Sequence, residues 1–309
     1  MSNIAKAPER FCINDEKLRN SSLSFIGNVI NRLHLNPDPL TIDLADVKFA
    51  SAGASLLLFA IINRAYFVLE GKKSPRVIQP KKEDNPEGYR WIVSTGLARA
   101  LLANSDDKLA GLVAQKRYFQ SSVDPEEALS TTMEMLKDTA LLDADQETML
   151  MMGINEAMLN VKNHAYETTD LQYIADLMGG KRWWQCSWFD PEGDRVVFII
   201  CDLGMGIATS YSNEVFDRTT QFILEQSQVE EALTSGNSRY RKPGRGNGSE
   251  DIKRPVAMAK TRHEKLMVFT QNSLYVLDSA TEGKKAVMST LKPSIPGTII
   301  HWTLAPKRG

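Results

Sequence analysis

The sequence predicts two successive folded parts, an α/β part followed by an α+β part. Over the first ~120 residues, short runs of β-formers alternate with apolar helix-like runs, the pattern of a layered α/β domain. Further on, the turn-forming cluster 190–194 (Asp-Pro-Glu-Gly-Asp) separates two long β-prone runs, "WWQCSWF" and "RVVFIICDLG", which read as a hairpin. Three more strand-like runs then close the chain. The expected boundary lies between residues 120 and 121, giving domains over 1–120 and 121–309.

Taken in order, "LTIDL" (Leu40–Leu44) alternates and is rich in β-formers, so it reads as a strand. "ASLLLFAIINRAYFVLEG" follows as a helix, with Gly71 placed to end it in a left-handed turn. "PRVIQP" is a short strand between prolines, "KKEDNPEG" (Lys81–Gly88) a charged surface loop, and "YRWIVSTGLARALLA" a helix. In "YFQSSVDPEEALS", Ser122 or Asp124 is positioned to cap a helix opening with Pro125, Glu126 and Glu127. Two helical segments, the hairpin, further helices and the strands "KLMVFTQ", "SLYVLDS" and "GTIIHWTL" complete the second part.

Composition narrows the classes of function. A net charge of -1 argues against a generally nucleic-acid-binding surface. Cys12, Cys186 and Cys201 are far apart and form no CxxC pair, so neither a disulfide framework nor a zinc site follows. The longest apolar run, Ala54–Ile62, is too short to span a bilayer. The first residues, "MSNIAKAPERF", lack the apolar centre of a signal peptide. A soluble cytoplasmic protein is the expectation.

Four stretches carry chemistry. In "GINEAMLNVKNHAY" (Gly153–Tyr166), Leu150, Ile154, Ala157 and Val161 share one helix face, and Glu156, Asn160 and Asn163 form a polar stripe beside it. In "CDLGMGI", Asp202 ends a strand before Gly204 and Gly206, where glycine lets the backbone approach a ligand. A carboxylate there can accept a hydrogen bond from a purine amino group. In "RYRKPGRGNGS", Gly244, Gly246 and Gly248 alternate with single residues after Arg239, Arg241 and Lys242, a cationic glycine loop suited to polyphosphate. In "PGTIIHWTL", Thr298 begins the last strand with a hydroxyl available to a base. Each alone is more often a turn or a wet helix face.

Together, in this order, the four resemble the ATPase module shared by gyrase, the ninety-kilodalton heat-shock chaperones, sensor histidine kinases and MutL (the GHKL, or Bergerat, fold). The resemblance covers Ser121 to the C-terminus and implies an α/β sandwich binding ATP and Mg²⁺. It implies that Glu156 polarises the attacking water, that Asn160 ligates Mg²⁺ and that Asp202 reads adenine. Gly204 and Gly206 would shape the adenine pocket, and Thr298 would supply a hydroxyl beside it. The lid would comprise Gly244, Gly246 and Gly248 with Lys242, Arg245 and Asn247. Asn163 lies where related kinases place a phosphate-contacting side chain, and His164 matches the family's "HA" helix ending in a structural role. One departure stands out: the family's lid continues with leucine, whereas Ser249, Glu250 and Asp251 follow here, and these acids would weaken triphosphate binding. Arg241, Lys242 and Arg245 are the cations available to offset them.

"PLTIDLADVKFASAGASLLL" resembles the strand–turn–helix of STAS domains, over Arg10–Gln120. Switchable members are phosphorylated on a serine directly before the glycine; here Ala52 precedes Gly53, and Ser51 reads as a helix N-cap. The expected function is therefore a Mg²⁺-dependent GHKL ATPase acting as a nucleotide switch on protein partners, with a homodimer left open. The alternatives are a serine kinase resembling anti-sigma factors and a module that holds ATP without turning it over. Histidine kinase activity is disfavoured, because none of His34, His164, His263 and His301 sits in a recognisable phosphoacceptor helix pair. Glu156 also supplies a carboxylate base where many histidine kinases have none.

Overall fold

A computed structural model of the 309-residue chain describes residues 3–35, 38–69, 75–139, 142–190, 194–212, 221–234, 248–258, 264–281 and 285–306. In the first part, β1 (Ile4–Lys6), β2 (Arg10–Phe11) and α1 (Glu16–Leu35) precede β3 (Thr41–Asp43), β4 (Phe49–Ala50) and α2 (Ala52–Val68). Then come β5 (Arg76–Ile78), the short α3 (Pro86–Tyr89), α4 (Leu97–Leu101) and α5 (Asp106–Ala114). Strands β1, β3 and β5 form a parallel sheet in that order, and β2 pairs in parallel with β4.

The second part is built on one seven-stranded antiparallel sheet. Its elements are β6 (Phe119–Ser122), α6 (Pro125–Thr139), α7 (Ala144–Asn160), α8 (Thr169–Leu177), β7 (Trp183–Asp190) and β8 (Arg195–Asp202). They continue as α9 (Ile207–Ser212), α10 (Gln221–Ala232), α11 (Gly248–Ala257), β9 (Lys265–Thr270), β10 (Ser273–Asp278), β11 (Val287–Thr290) and β12 (Thr298–Leu304). The sheet order is β11-β10-β9-β12-β8-β7-β6. The chain is thus a mixed α/β protein.

Period-2 alternation assigns the two faces of this sheet. Phe198 and Trp302 lie opposite each other in the β8–β12 register, and the Trp302 indole donates to the Ile252 carbonyl of α11 at 2.8 Å. Trp184 and Cys201 lie opposite on the other face, where the Trp184 indole donates to Asn63 of α2 at 2.7 Å. Helices α6, α7 and α11 therefore cover one face, and α2 covers the other.

Helix α2 is buried over most of its length because it packs against β7 and β8 of the large sheet and against α1 and α4. Leu56, Leu57, Leu58, Phe59, Ile61 and Ile62 are at most 2% exposed, each contributing about 1.5–3 kcal/mol. One continuous apolar core joins the two parts of the chain. Asn63, buried in that core, is satisfied at both ends: its amide nitrogen donates to the Ala103 carbonyl at 2.7 Å while its oxygen serves Trp184.

The expected strands over Leu40–Leu44, Pro75–Pro80, the hairpin and the three closing runs are present. Ser51 caps α2 by accepting from the Ala54 amide, and Asp124 rather than Ser122 caps α6, accepting from the Glu126 amide at 2.9 Å. The single helix expected over Tyr89–Ala103 is broken. Arg90–Ser94 is a π-helical turn, and Gly96 adopts a left-handed φ of 85° before α4 starts. The boundary expected after residue 120 falls inside β6, which pairs with β7 and so belongs to the large sheet. Gly71 lies outside the described residues.

Candidate functional site

Helix α7 begins with a capping box, in which Asp143 accepts from the Gln146 amide and the Gln146 side chain bonds back to the Asp143 amide. Its apolar stripe is buried as the spacing demands: Leu150 and Ile154 are inaccessible, and Ala157 and Val161 nearly so. Glu156 and Asn160 stand beside this stripe, half-buried. Burial raises the Glu156 pKa, and the nearby Asp251 carboxylate raises it further. The Asn160 side chain, one turn on, hydrogen-bonds Glu156 and opposes the shift.

The polar stripe ends at Asn160. From Val161 to Ala165 the helix widens into a π-turn, which breaks the three- and four-residue register, and Asn163 in this turn is exposed. His164 Nδ1 stands 3.6 Å from a Glu167 carboxylate oxygen. The helix end then meets the loop after β8: the Met205 amide donates to the Ala165 carbonyl at 2.9 Å. A Cβ at Gly204 would overlap that same carbonyl, so only glycine permits the contact.

Asp202 ends β8 on the face covered by α7 and α11, opposite Thr298 of β12. It is 7% exposed. Its Oδ1 accepts from the Gly204 amide at 2.8 Å, and the Thr298 amide and hydroxyl also bond to the carboxylate. Burial outweighs these bonds and raises the pKa to about 7. The row continues into β9, where the Thr270 hydroxyl lies 3.3 Å from that of Thr298 and accepts from the Ile207 amide at 3.0 Å. Gly206 has a φ of 78° and lies against the Gln271 side chain, whose amide donates to the Met205 carbonyl at 2.8 Å.

Helix α11 packs along α7 with its first residue, Gly248, against the Glu156 carboxylate. The first turn of α11, which carries Glu250 and Asp251, is thereby brought beside Glu156. These acids have cationic partners on their own helix: Lys253 lies 2.7 Å from Glu250, and Arg254 lies 3.2 Å from Asp251. Lys242, Gly244, Arg245, Gly246 and Asn247 lie outside the described residues.

The structure thus groups Glu156, Asn160 and Gly248, and separately Asp202, Gly204 and Thr298, the two groups being linked through Ala165 and Met205. Sequence reading missed Thr270, Gln271, Gly297 and Tyr166, whose hydroxyl accepts from the Leu203 amide at 3.4 Å. For Gly297, the signal was present in its position before Thr298: its φ is 68°, and a Cβ there would overlap the Asp202 carbonyl. No family model, curated protein or solved structure matches this chain.

Proposed function

We propose that the second part of the chain is a GHKL-type, Mg²⁺-dependent ATPase, and that the first part is a STAS-like regulatory domain. The observation that carries this reading is the strand-end carboxylate Asp202, buried, bonded to Thr298 and Gly204, and joined by its own loop to the helix bearing Glu156 and Asn160. A buried acid whose neighbours are hydrogen-bond donors suits one task well: accepting the exocyclic amino group of adenine in a water-poor pocket. The first turn of α11 beside Glu156 offers backbone N–H groups to phosphate oxygens.

In this reading Glu156 orients and deprotonates the attacking water. Its raised pKa makes it a stronger base than an exposed glutamate. Asn160 fits as a ligand because its amide N–H is turned to Glu156, leaving its oxygen as the acceptor that a hard cation requires. Mg²⁺ held there would neutralise charge on the transferring phosphoryl group. Gly248 allows the helix bearing the lid to settle on the Glu156 side chain. Protein partners would sense the nucleotide through the position of α11.

The test is incubation of the purified chain with γ-labelled ATP and Mg²⁺. Release of labelled phosphate supports hydrolysis. Label retained on the protein would favour a serine kinase, intact bound ATP a non-hydrolysing module, and no binding at all would overturn the nucleotide reading.

A further inference from the structure

Leu203, between Asp202 and Gly204, is held through both of its flanking peptide groups. Its N–H donates to the Tyr166 hydroxyl at 3.4 Å, and that hydroxyl donates to the Arg182 carbonyl at 2.7 Å. Its carbonyl accepts from Arg64 Nη1 at 3.2 Å. Tyr166 follows the acidic helix of the second part, but Arg64 belongs to α2 of the first part. Through Arg64 the first part of the chain reaches the Asp202 loop directly.

The setting of Arg64 is unusual for a cation. Its guanidinium is largely desolvated, which lowers its pKa, and the groups acting on it are Tyr166 and Cys201. Among the described residues it has no carboxylate partner. A desolvated guanidinium needs acceptors, and here the acceptor is the carbonyl directly following Asp202. Rotation of the Leu203–Gly204 peptide, whose carbonyl Arg64 holds, would carry away the Gly204 N–H, the donor that fixes Asp202 Oδ1.

We propose that Arg64 is a positioning residue for the base-reading loop, so that the first part of the chain sets how well the second discriminates adenine. The proposal rests on the nucleotide reading given above. Arg64 holds the Leu203–Gly204 peptide from behind the sheet, on the face opposite Glu156 and Asn160. Its loss should therefore alter recognition of the base and leave recognition of the phosphates intact. A displacement of the carboxylate by a fraction of an ångström is enough to weaken an oriented hydrogen bond.

The experiment compares ATP, GTP and inorganic tripolyphosphate, each with Mg²⁺, binding to the intact wild-type chain, to Arg64→Gln and to Arg64→Lys, with thermal melts for folding. In Arg64→Gln, the preference for ATP over GTP should fall by about tenfold, the size of one lost charged hydrogen bond, with tripolyphosphate affinity unchanged. Arg64→Lys keeps the charge in the same seat and should lose less of the preference, about twofold to fourfold. If the wild type binds ATP and a folded variant keeps the full preference, the positioning role is overturned. An equal loss for all three ligands would also overturn it, because Arg64 would then act only through the fold. Should Arg64→Gln not fold, an unchanged preference in Arg64→Lys decides against the proposal. Absence of ATP binding by the wild type would instead overturn the nucleotide reading itself.

Discussion

Gly248 and the Glu156 carboxylate are in contact across the interface of α7 and α11, and the contact leaves no room for a side chain. A Cβ on Gly248 would overlap Glu156 Oε1 and stand 2.6 Å from its Cδ. Gly153 serves the same interface one turn earlier on α7, where a Cβ would lie 3.1 Å from the Asp251 carbonyl. The close approach of the two helices is therefore specified from both sides, at the carboxylate assigned to the chemistry.

Gly248→Ala should accordingly drive α11 off Glu156. Overpacking of this kind typically costs about 1–3 kcal/mol, read as a lower midpoint in urea. Glu156→Ala in the same chain removes the obstructing carboxylate, so the double variant should recover most of the loss. A double-mutant cycle with no coupling between the two sites would show that α11 is not held by this contact.

Asp202 should make stability depend on pH. Its folded-state pKa of about 7 lies above the ordinary 3.8 because burial opposes ionisation. Between those values the folded protein retains a proton that the unfolded chain has lost, so stability falls as pH rises from about 4 to about 7 and levels off beyond. Three pH units at about 1.4 kcal/mol each bound the effect at roughly 4 kcal/mol. Asp202→Asn, which carries no charge to bury, should flatten this slope and melt at a higher temperature than wild type at pH 8. Parallel melting curves for the two proteins from pH 5 to pH 8 would contradict the assignment.

The same proton should govern ligand affinity in the opposite sense. Protonation turns one of the two acceptor oxygens into a donor and removes the charge, so ATP binding should weaken as pH falls below about 7. Affinity should drop by up to tenfold per pH unit from about pH 7 downwards. Calorimetry from pH 5.5 to pH 8 checks this. Asp202→Asn, able to present a donor where an acceptor is needed, should bind weakly at every pH.

The legibility of this molecule in its sequence follows how local each feature is. The hairpin of β7 and β8 was plain because long β-prone runs flank a turn cluster, and α7 because Leu150, Ile154, Ala157 and Val161 keep strict helical spacing. β6 was hidden: "FQSS" contains a single strong β-former, and its pairing with β7 decides its state. The stripe was over-extended to Asn163 because a π-turn leaves no mark in hydrophobic periodicity. Arg64 was invisible as a site residue, being a cation in the middle of an apolar helix whose partner lies 139 positions away. The pairing of Asp202 with Thr298 could be guessed from motif order, but its geometry comes from strand register.

Glu156 and Asn160, one turn apart on α7, should respond differently to substitution. Glu156→Gln keeps the shape of the side chain and an acceptor oxygen but cannot take a proton at neutral pH. It should bind ATP as wild type does while turnover slows by about 10²–10⁴-fold. Asn160→Ala should weaken both binding and turnover, since it removes the oxygen assigned to the metal. The pH profile then tests the environment of Glu156. Turnover requires its ionised form, so activity falls as pH drops through its raised pKa. Asp251→Asn withdraws a neighbouring negative charge and should move that acid limb to lower pH, while Asn160→Ala withdraws a stabilising hydrogen bond and should move it higher. Both limbs are read from steady-state phosphate release between pH 4.5 and pH 8. Opposite displacements would identify Glu156 as the titrating base; coincident profiles in all three proteins would assign the limb to another group.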